Sequence, residues 1–207
     1  MAESMFIIGI TGGTGSGKTT ALRALESLGV PALDSDAVYH ELLADNRELK
    51  GEIGARWRGV LAGGKIDRKK LGGIVFNDRT ALLELNAIAH KYVREEIWRR
   101  IAAWEAQGKA VAAIDAIALI ESGTAERCDV VVGVAAPAET RIKRIMARDG
   151  IARADAEARV SAQQPAGFYE EHCDYMLEST CRSPRGFEEK CKELFAGIMR
   201  DAHINLI

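Results

Sequence analysis

The residues with the clearest chemical potential lie near the amino terminus, in a glycine-rich stretch that ends in a lysine and a threonine. An apolar run from Met5 to Ile10 leads into Thr11-Gly12-Gly13-Thr14-Gly15-Ser16-Gly17-Lys18-Thr19-Thr20. Glycines let the backbone turn tightly and point several N–H groups at one anion, which the amino terminus of a following helix also attracts. The spacing from Gly12 to Thr19 therefore predicts a loop that binds the phosphates of a nucleoside triphosphate.

Within this loop, Lys18 is expected to reach the β- and γ-phosphates and the Thr19 hydroxyl to hold Mg²⁺. The predicted nucleotide-binding residues are Thr14, Gly15, Ser16, Gly17, Lys18, Thr19 and Thr20. The alternative is a flexible glycine turn with an incidental lysine. The complete spacing disfavours that alternative, because an apolar run precedes the loop and a helical pattern follows it.

Two acidic positions follow apolar runs that predict strands. One run, Val30 to Leu33, is followed by Asp34-Ser35-Asp36, and the other ends at Asp115. Ligands of an open parallel sheet bind outside the carboxyl ends of its strands, so we expect these carboxylates beside the loop. Asp115 is a candidate for holding the hydrated Mg²⁺. Ser35 or Asp36 has a structural alternative, which is to cap the next helix.

The elements that position these residues follow a strand–helix alternation that a helical block interrupts. Helical periodicity dominates from Ala44 to Gln107, which predicts a helical substrate-binding subdomain. The basic residues of this block are Lys65, Arg68, Lys69, Lys70, Arg79, Lys91 and Arg94. For each of them alone, a solvated helix face is the alternative.

A second basic group follows the apolar strand predicted at Cys128 to Val134. Its members are Arg141, Arg144, Arg148, Arg153 and Arg159. The first three share one face of a helix that opens at Pro137, and residues 149–164 form a short, mostly helical excursion. In a nucleotide kinase, a mobile lid at this place brings guanidinium groups onto the transferring phosphoryl group.

Composition limits the remaining possibilities. At 207 residues, 47% hydrophobic and 28% charged, the chain fits one α/β domain with insertions, and its net charge of −2 argues against a general nucleic-acid binder. No run of 18 apolar residues and no signal peptide is found, so no membrane partner and a cytoplasmic location are expected. The four cysteines have no C-x-x-C spacing and are expected to be free thiols.

With these pieces placed, the chain resembles the dephospho-coenzyme A kinases over nearly its whole length. The segments that carry the resemblance are Thr11 to Thr19, Leu33-Asp34-Ser35-Asp36, Ile66 to Leu71, Ile74-Val75-Phe76, Leu85 to His90, Glu121-Ser122-Gly123, Arg148-Asp149-Gly150-Ile151, Ala158-Arg159 and Gln163. The resemblance implies transfer of the ATP γ-phosphate to the ribose 3′-hydroxyl of dephospho-coenzyme A. It also implies an α/β, P-loop NTPase-type three-layer fold, with a five-stranded parallel sheet flanked by helices, a helical substrate subdomain and a lid.

The resemblance also implies an assignment of residues and segments. Lys18, Asp36, Arg144, Arg148 and Arg153 match catalytic positions, and Asp36 is the acid that receives the hydroxyl proton. Asp36, Arg68 and His90 are expected to bind the acceptor, and Thr19 and Asp115 the metal. The core is expected at about 1–35, 108–147 and 166–207, the acceptor subdomain at about 36–107 and the lid at about 148–165. A monomer or weak homo-oligomer is expected.

Three departures from the family pattern bear on the acceptor and adenine pockets. The family usually has proline at Lys91, Pro-Leu-Leu-Phe-Glu at Ile117 to Glu121, and Asn-x-Gly at Glu178-Ser179-Thr180. A related small-molecule or nucleotide kinase with a changed acceptor pocket is therefore an alternative. A nonenzymatic ATP-sensing module is another, although binding alone needs no acid near an acceptor hydroxyl.

Overall fold

A five-stranded sheet forms the centre of the protein, as seen in a computed structural model that describes residues 5–180 and 183–204. The strands of these residues are β1 (Phe6–Thr11), β2 (Ala32–Asp34), β3 (Leu61–Ala62), β4 (Lys65–Ile66), β5 (Val111–Asp115), β6 (Val130–Ala135) and β7 (Tyr175–Glu178). The central sheet has the order β2-β5-β1-β6-β7, and β1 pairs in parallel with β5 and β6, as β6 does with β7. The predicted parallel sheet flanked by helices is confirmed.

Helices make up most of the remaining described structure. They are α1 (Lys18–Ser27), α2 (Ser35–Asp45), α3 (Arg47–Arg56), α4 (Arg68–Val75), α5 (Arg79–Ala106), α6 (Ala138–Asp149), α7 (Arg153–Ser161), α8 (Ala166–His172) and α9 (Pro184–Asp201). α1 and α9 contribute Leu25 and Phe195 to a buried core with Ile8 and Val132 of the sheet. The inner strands are apolar on both faces, because helices cover both sides of a parallel sheet.

Carboxylates fix the sheet at the amino ends of two strands. Asp129 accepts a hydrogen bond from the backbone N–H of Ile7 at 2.7 Å, and Asp174 accepts one from the N–H of Val131, also at 2.7 Å. Each carboxylate satisfies a backbone donor at the start of a strand, where a neighbouring strand offers no carbonyl. The opposite, carboxyl ends of the strands are then left for ligands.

Contacts divide the described chain into two compact units. The first contains the chain up to Leu33 and from Trp104 onward, and therefore most of the sheet. The second, Asp34–Ala103, contains α2, α3, the β3–β4 hairpin, α4 and most of α5. Within the second unit, apolar side chains such as Leu49, Ile53 and Val75 are buried, so it has an interior of its own.

The structure corrects the predicted cap of α2. Asp34, and not Ser35 or Asp36, caps α2: its carboxylate accepts from the N–H groups of Asp36 at 2.8 Å and Ala37 at 3.2 Å. The capping residue must precede the first helical residue, and Ser35 is already helical. Farther along the chain, the segment before Gly123 forms turns that lead into a single 3₁₀ turn at Ala125–Arg127.

A short hairpin within the helical block was also not predicted. β3 and β4 pair antiparallel, with Leu61 opposite Ile66 and Ala62 opposite Lys65. Gly63 and Gly64 have φ values of 57° and 77°, the left-handed conformation that a tight two-residue hairpin turn needs. Strands of two residues are too short to show an alternating pattern, so helical periodicity dominated the prediction.

From the sequence, free thiols and no membrane-spanning segment are expected. Cys128, Cys173 and Cys191 are free thiols, as predicted, and Cys181 lies outside the described residues. Among residues 5–180 and 183–204, no helix has both the length and the apolar character that crossing a membrane requires.

Candidate active site

The glycine-rich loop connects β1, which ends at Thr11, to α1, which begins at Lys18. Two glycines hold backbone conformations that other residues rarely adopt, with φ of 139° at Gly12 and 116° at Gly17. A Cβ atom on Gly12 would lie 2.2 Å from the carbonyl oxygen of Val134, so a larger residue would also collide with β6. The sequence pattern therefore reflects a real backbone requirement at both positions.

α1 opens without a side-chain cap, because its capping residue is Gly17. Several other helices are capped by a side chain that accepts from the first turn, namely Asp34 for α2, Asn46 for α3, Asp67 for α4 and Ser183 for α9. No capping side chain therefore competes with an anion at the start of α1, a position that the helix dipole also favours for negative charge. The predicted loop–helix context for phosphate is present.

Lys18 and Thr19 lie in the first turn of α1, where the prediction needs them. Lys18 Nζ lies 3.5 Å from the carbonyl oxygen of Gly13, so the ammonium extends back along the loop. Thr19 is exposed. An ammonium and a hydroxyl so placed have the chemistry to contact, respectively, a phosphate chain and a divalent cation.

Arg144 of α6 supports the loop through its carbonyl oxygens. Its Nη1 donates to the carbonyls of Gly15 at 3.0 Å and Ser16 at 3.1 Å, and its Nη2 donates to Ser179 Oγ at 2.9 Å. In a trans peptide the C=O and the next N–H point in opposite directions. By holding these two carbonyls, Arg144 turns the N–H groups of Ser16 and Gly17 away from itself.

A second contact joins Thr14 to two side chains from distant parts of the chain. Arg141 Nε donates to the Thr14 carbonyl at 2.9 Å, and Gln163 Oε1 accepts from the Thr14 N–H at 2.8 Å. Gln163 Nε2 donates to Thr14 Oγ1 at 2.6 Å, and Arg141 Nη2 also donates to Gln163 Oε1. Burial lowers the pKa of the Arg141 guanidinium below its ordinary value.

Arg141, Gln163 and Ser179 were not among the site residues predicted from the sequence. A signal for Arg141 was available, since it lies three residues before Arg144 on one helical stripe, and both contact the loop. Gln163 and Ser179 carry no such periodic signal. Their contacts depend on tertiary folding alone.

Asp115 lies at the carboxyl end of β5, beside the strand that enters the loop. It is buried, 6% exposed, and stands in register with Ile10 of β1. Nearby, Thr11 Oγ1 donates to the carbonyl of Ile117 at 3.1 Å. Within the described ranges no three His, Cys, Asp or Glu side chains cluster as a metal site. Mg²⁺ at a nucleotide typically uses one or two protein oxygens plus phosphates and water, which Thr19 and Asp115 fit.

The predicted acceptor residues belong to the second unit. Asp36 is exposed in the first turn of α2, Arg68 is exposed at the first position of α4, and His90 is half-buried in α5. Burial raises the pKa of Tyr39, and the charge of Arg68 opposes that shift, so Arg68 and Tyr39 are neighbours. The roles of Asp36, Arg68 and His90 stay predictions.

Arg148 and Arg153 form exposed ion pairs with nearby carboxylates. Arg148 Nε lies 2.7 Å from Asp149, and Arg153 lies 2.6 Å from Glu139 and 2.7 Å from Glu157. The Arg148 hydrogen bond lowers the pKa of Asp149. Both guanidinium groups are about half exposed or more, so rearrangement would cost little, because surface ion pairs contribute little stability.

Comparison with known proteins gives one consistent family. The family model described as Dephospho-CoA kinase matches residues 6–183. A dephospho-CoA kinase of Geobacter sulfurreducens is 37% identical over 194 residues, covering 93% of this chain and 98% of the relative. One of Moorella thermoacetica is 43% identical over 162 residues, covering 77% and 76% of the two chains. A crystal structure of a Thermus thermophilus protein, TT1252, is similar with a TM-score of 0.77 and 32% identity, covering 94% of this chain and 98% of that one.

Proposed function

We propose roles for the residues of this chain, which belongs to the dephospho-CoA kinase family. It is a transferase that phosphorylates dephospho-CoA with ATP in coenzyme A biosynthesis. The γ-phosphate goes to the 3′-hydroxyl of the acceptor ribose, giving coenzyme A and ADP. The observation that carries the assignment of the donor side is the uncapped start of α1 at Lys18, which follows a loop that Arg144 holds by its carbonyls.

On the donor side, the loop from Thr14 to Thr20 binds the phosphates of ATP. Lys18 neutralises charge that develops on the β- and γ-phosphates during transfer. Arg144 acts through the loop, because its hydrogen bonds go to Gly15, Ser16 and Ser179. The resemblance suggested a catalytic arginine at this position; the contacts support a positioning residue.

On the acceptor side, the unit Asp34–Ala103 is the coenzyme A subdomain, with Arg68 and His90 as acceptor contacts. Asp36 orients the 3′-hydroxyl and accepts its proton. The support for this role is that Asp36 follows β2 directly and is exposed, and the carboxyl ends of strands are where α/β sheets bind ligands. The segment at about 148–165 is a lid, and Arg148 and Arg153 are its phosphoryl-contacting cations.

Mg²⁺, when bound, would supply positive charge that offsets the negative charge of the ATP phosphates. Thr19 and Asp115 are the residues that would hold it. Both offer hard oxygen ligands, and Asp115 ends the strand next to β1. Their oxygen atoms would hold the ion, and the proton of the acceptor hydroxyl goes to Asp36.

A coupled ADP-release assay with a panel of acceptors tests this function. The panel contains dephospho-CoA, adenosine, a nucleoside monophosphate, shikimate and no acceptor. We expect ADP release with dephospho-CoA far above all others, and phosphate on the 3′-position of the product by NMR. Preference for another acceptor would support a kinase with a changed pocket, and ATP binding without turnover would support a sensing module.

We also propose a cytoplasmic location and a monomer or weak homo-oligomer. Free thiols at Cys128, Cys173 and Cys191 are compatible with a reducing compartment, where disulfides are rare. Sedimentation at several protein concentrations measures the oligomeric state directly.

A further inference from the structure

We propose that Gln163 is a positioning residue that fixes the phosphate loop through Thr14 and links the loop to the segment after α7. The proposal rests on the proposed function, since it concerns how the same loop is held for phosphoryl transfer. Gln163 and Thr14 are 149 positions apart in the chain, so the contact is a product of the fold and not of local sequence.

The backbone and side-chain polar groups of Thr14 are all engaged by two side chains. Gln163 Oε1 accepts a hydrogen bond from the Thr14 N–H at 2.8 Å, and Gln163 Nε2 donates one to the Thr14 hydroxyl oxygen at 2.6 Å. Arg141 Nε donates to the Thr14 carbonyl at 2.9 Å. One amide thus serves a donor and an acceptor of the same residue, which fixes both the position and the rotation of Thr14. The Thr14 N–H is thereby used for holding the loop.

Arg141 completes this contact as a closed network. Its guanidinium donates to the Thr14 carbonyl and to Gln163 Oε1, so each of the three residues contacts the other two. The network lies against Gly13, where an added Cβ would be 2.2 Å from Arg141 Nη2 and 2.7 Å from Gln163 Oε1. Glycine at this position lets the network approach the loop backbone. Charge-assisted hydrogen bonds of this kind are stronger than neutral ones.

The other end of the network is anchored in the helices α6 and α7. Ile142 and Ile145 of α6 pack with Ala156 of α7 in a small buried cluster. Gln163 follows α7 within two residues, and its N–H donates to the carbonyl of Val160 at 3.4 Å. A displacement of α7 would therefore displace Gln163 and release Thr14.

The consequence for catalysis is geometric. The donors that meet the phosphates belong to the residues directly after Thr14, so loosening Thr14 displaces them. A misplacement of about 1 Å at a reacting group can cost about 10²-fold in rate. Gln163 should hence affect turnover more than it affects binding of the acceptor.

The test compares variants that keep side-chain volume and remove hydrogen bonds. Gln163→Met removes the amide, Thr14→Val removes the hydroxyl, and Thr14→Ser keeps it. Gln164→Met is the matched control, because Gln164 is the next residue and also half-buried. We expect Gln163→Met to lower kcat about 10- to 100-fold, with the KM for dephospho-CoA and the thermal unfolding midpoint near those of the parent. Thr14→Val should lower kcat about 10-fold and Thr14→Ser should lower it less, whereas Gln164→Met should stay within about 2-fold of the parent.

A double-mutant cycle makes the pairing specific. In the Gln163→Met background, Thr14→Val should have almost no further effect, because the bond it removes is already gone. Additive effects, or a Gln163→Met variant that raises only the KM for dephospho-CoA, would overturn the proposal. Calorimetric titration with ATP gives a readout that does not need turnover, and we expect affinity to fall in Gln163→Met and not in Gln164→Met. If the parent has no kinase activity, the proposed function fails, and this titration still decides whether Gln163 holds the loop.

Discussion

The Arg144 guanidinium lies 2.9 Å from the hydroxyl oxygen of Ser179, a buried residue directly after β7. Ser179 in turn lies against the start of α1, because a Cβ on Gly17 would be 3.1 Å from its Oγ. Ser179 stands at the unspecified middle position of the segment where the family usually has Asn-x-Gly. Its hydroxyl helps to hold the Arg144 guanidinium against the phosphate loop.

Arg144→Lys separates a positioning role from a charge role. A lysine keeps the positive charge, but its single ammonium cannot reproduce the fork that reaches Gly15, Ser16 and Ser179. We expect kcat to fall about 10- to 100-fold in Arg144→Lys, close to the loss in Arg144→Ala. Lys143→Arg, an exposed neighbour on α6, is the control. Near-parent kcat in Arg144→Lys would show that charge alone matters.

The sequence predicted site residues correctly where the backbone conformation requires a particular residue type. It did not predict contacts that folding forms between side chains distant in the chain. Gly12, Gly17 and Lys18 were found from spacing because few other residues fit a loop of that shape. Helical periodicity gave the face of α6 that carries Arg141, but not its partner Thr14, which is 127 residues away. The small β3–β4 sheet was missed because two-residue strands have no period to detect.

Lys18→Ala should remove most turnover, because it deletes the cation expected to bridge the β- and γ-phosphates. Groups of this kind contribute roughly 3–4 kcal/mol to the transition state, which is about 10²–10³ in rate. Lys109→Ala, an exposed lysine before β5, serves as the control and should keep parent activity. Steady-state kinetics with saturating ATP is the measurement. Half the parent activity in Lys18→Ala would contradict the assignment of the phosphate loop.

Arg148→Ala and Arg153→Ala should lower turnover far more than they weaken binding of dephospho-CoA. Both side chains are exposed and paired with carboxylates, so they can exchange those partners for a phosphoryl group when a lid closes. Their loss should leave the midpoint of urea unfolding near that of the parent, because exposed ion pairs contribute little stability. Lys143→Ala, which removes another exposed cation of α6 that pairs with Glu139, is the control. An increase in the acceptor KM alone would make these arginines acceptor-binding residues.

Glu96 should make the stability of the protein depend on acid pH. Hydrogen bonds from Arg99 and then Arg100 lower the pKa of Glu96 to about 2, although burial opposes this shift. Since the unfolded chain has the ordinary value near 4.5, the stabilisation is complete above that pH and is lost as pH falls toward 2. Urea unfolding should show Glu96→Gln less stable than the parent by about 1–2 kcal/mol at pH 7. This difference in the free energy of unfolding should shrink at pH 3. A difference independent of pH would contradict the ion-pair origin. Glu95→Gln controls for the change in net charge.

Asp36→Asn should reduce turnover by about 10²–10⁴-fold, the usual range for a positioned acid–base group, with the affinities for ATP and Mg²⁺ little changed. Asp36 is exposed after β2, whereas Asp115 is buried at the end of β5 beside β1 and is better placed for the metal's water shell. Asp45→Asn, an exposed acid at the last position of α2, controls for the loss of charge on that helix. Turnover and direct Mg²⁺–ATP titration are measured on the parent, Asp36→Asn, Asp45→Asn and Asp115→Asn, and together they separate the roles. Weakened Mg²⁺ binding in Asp36→Asn with full activity in Asp115→Asn would exchange the two assignments.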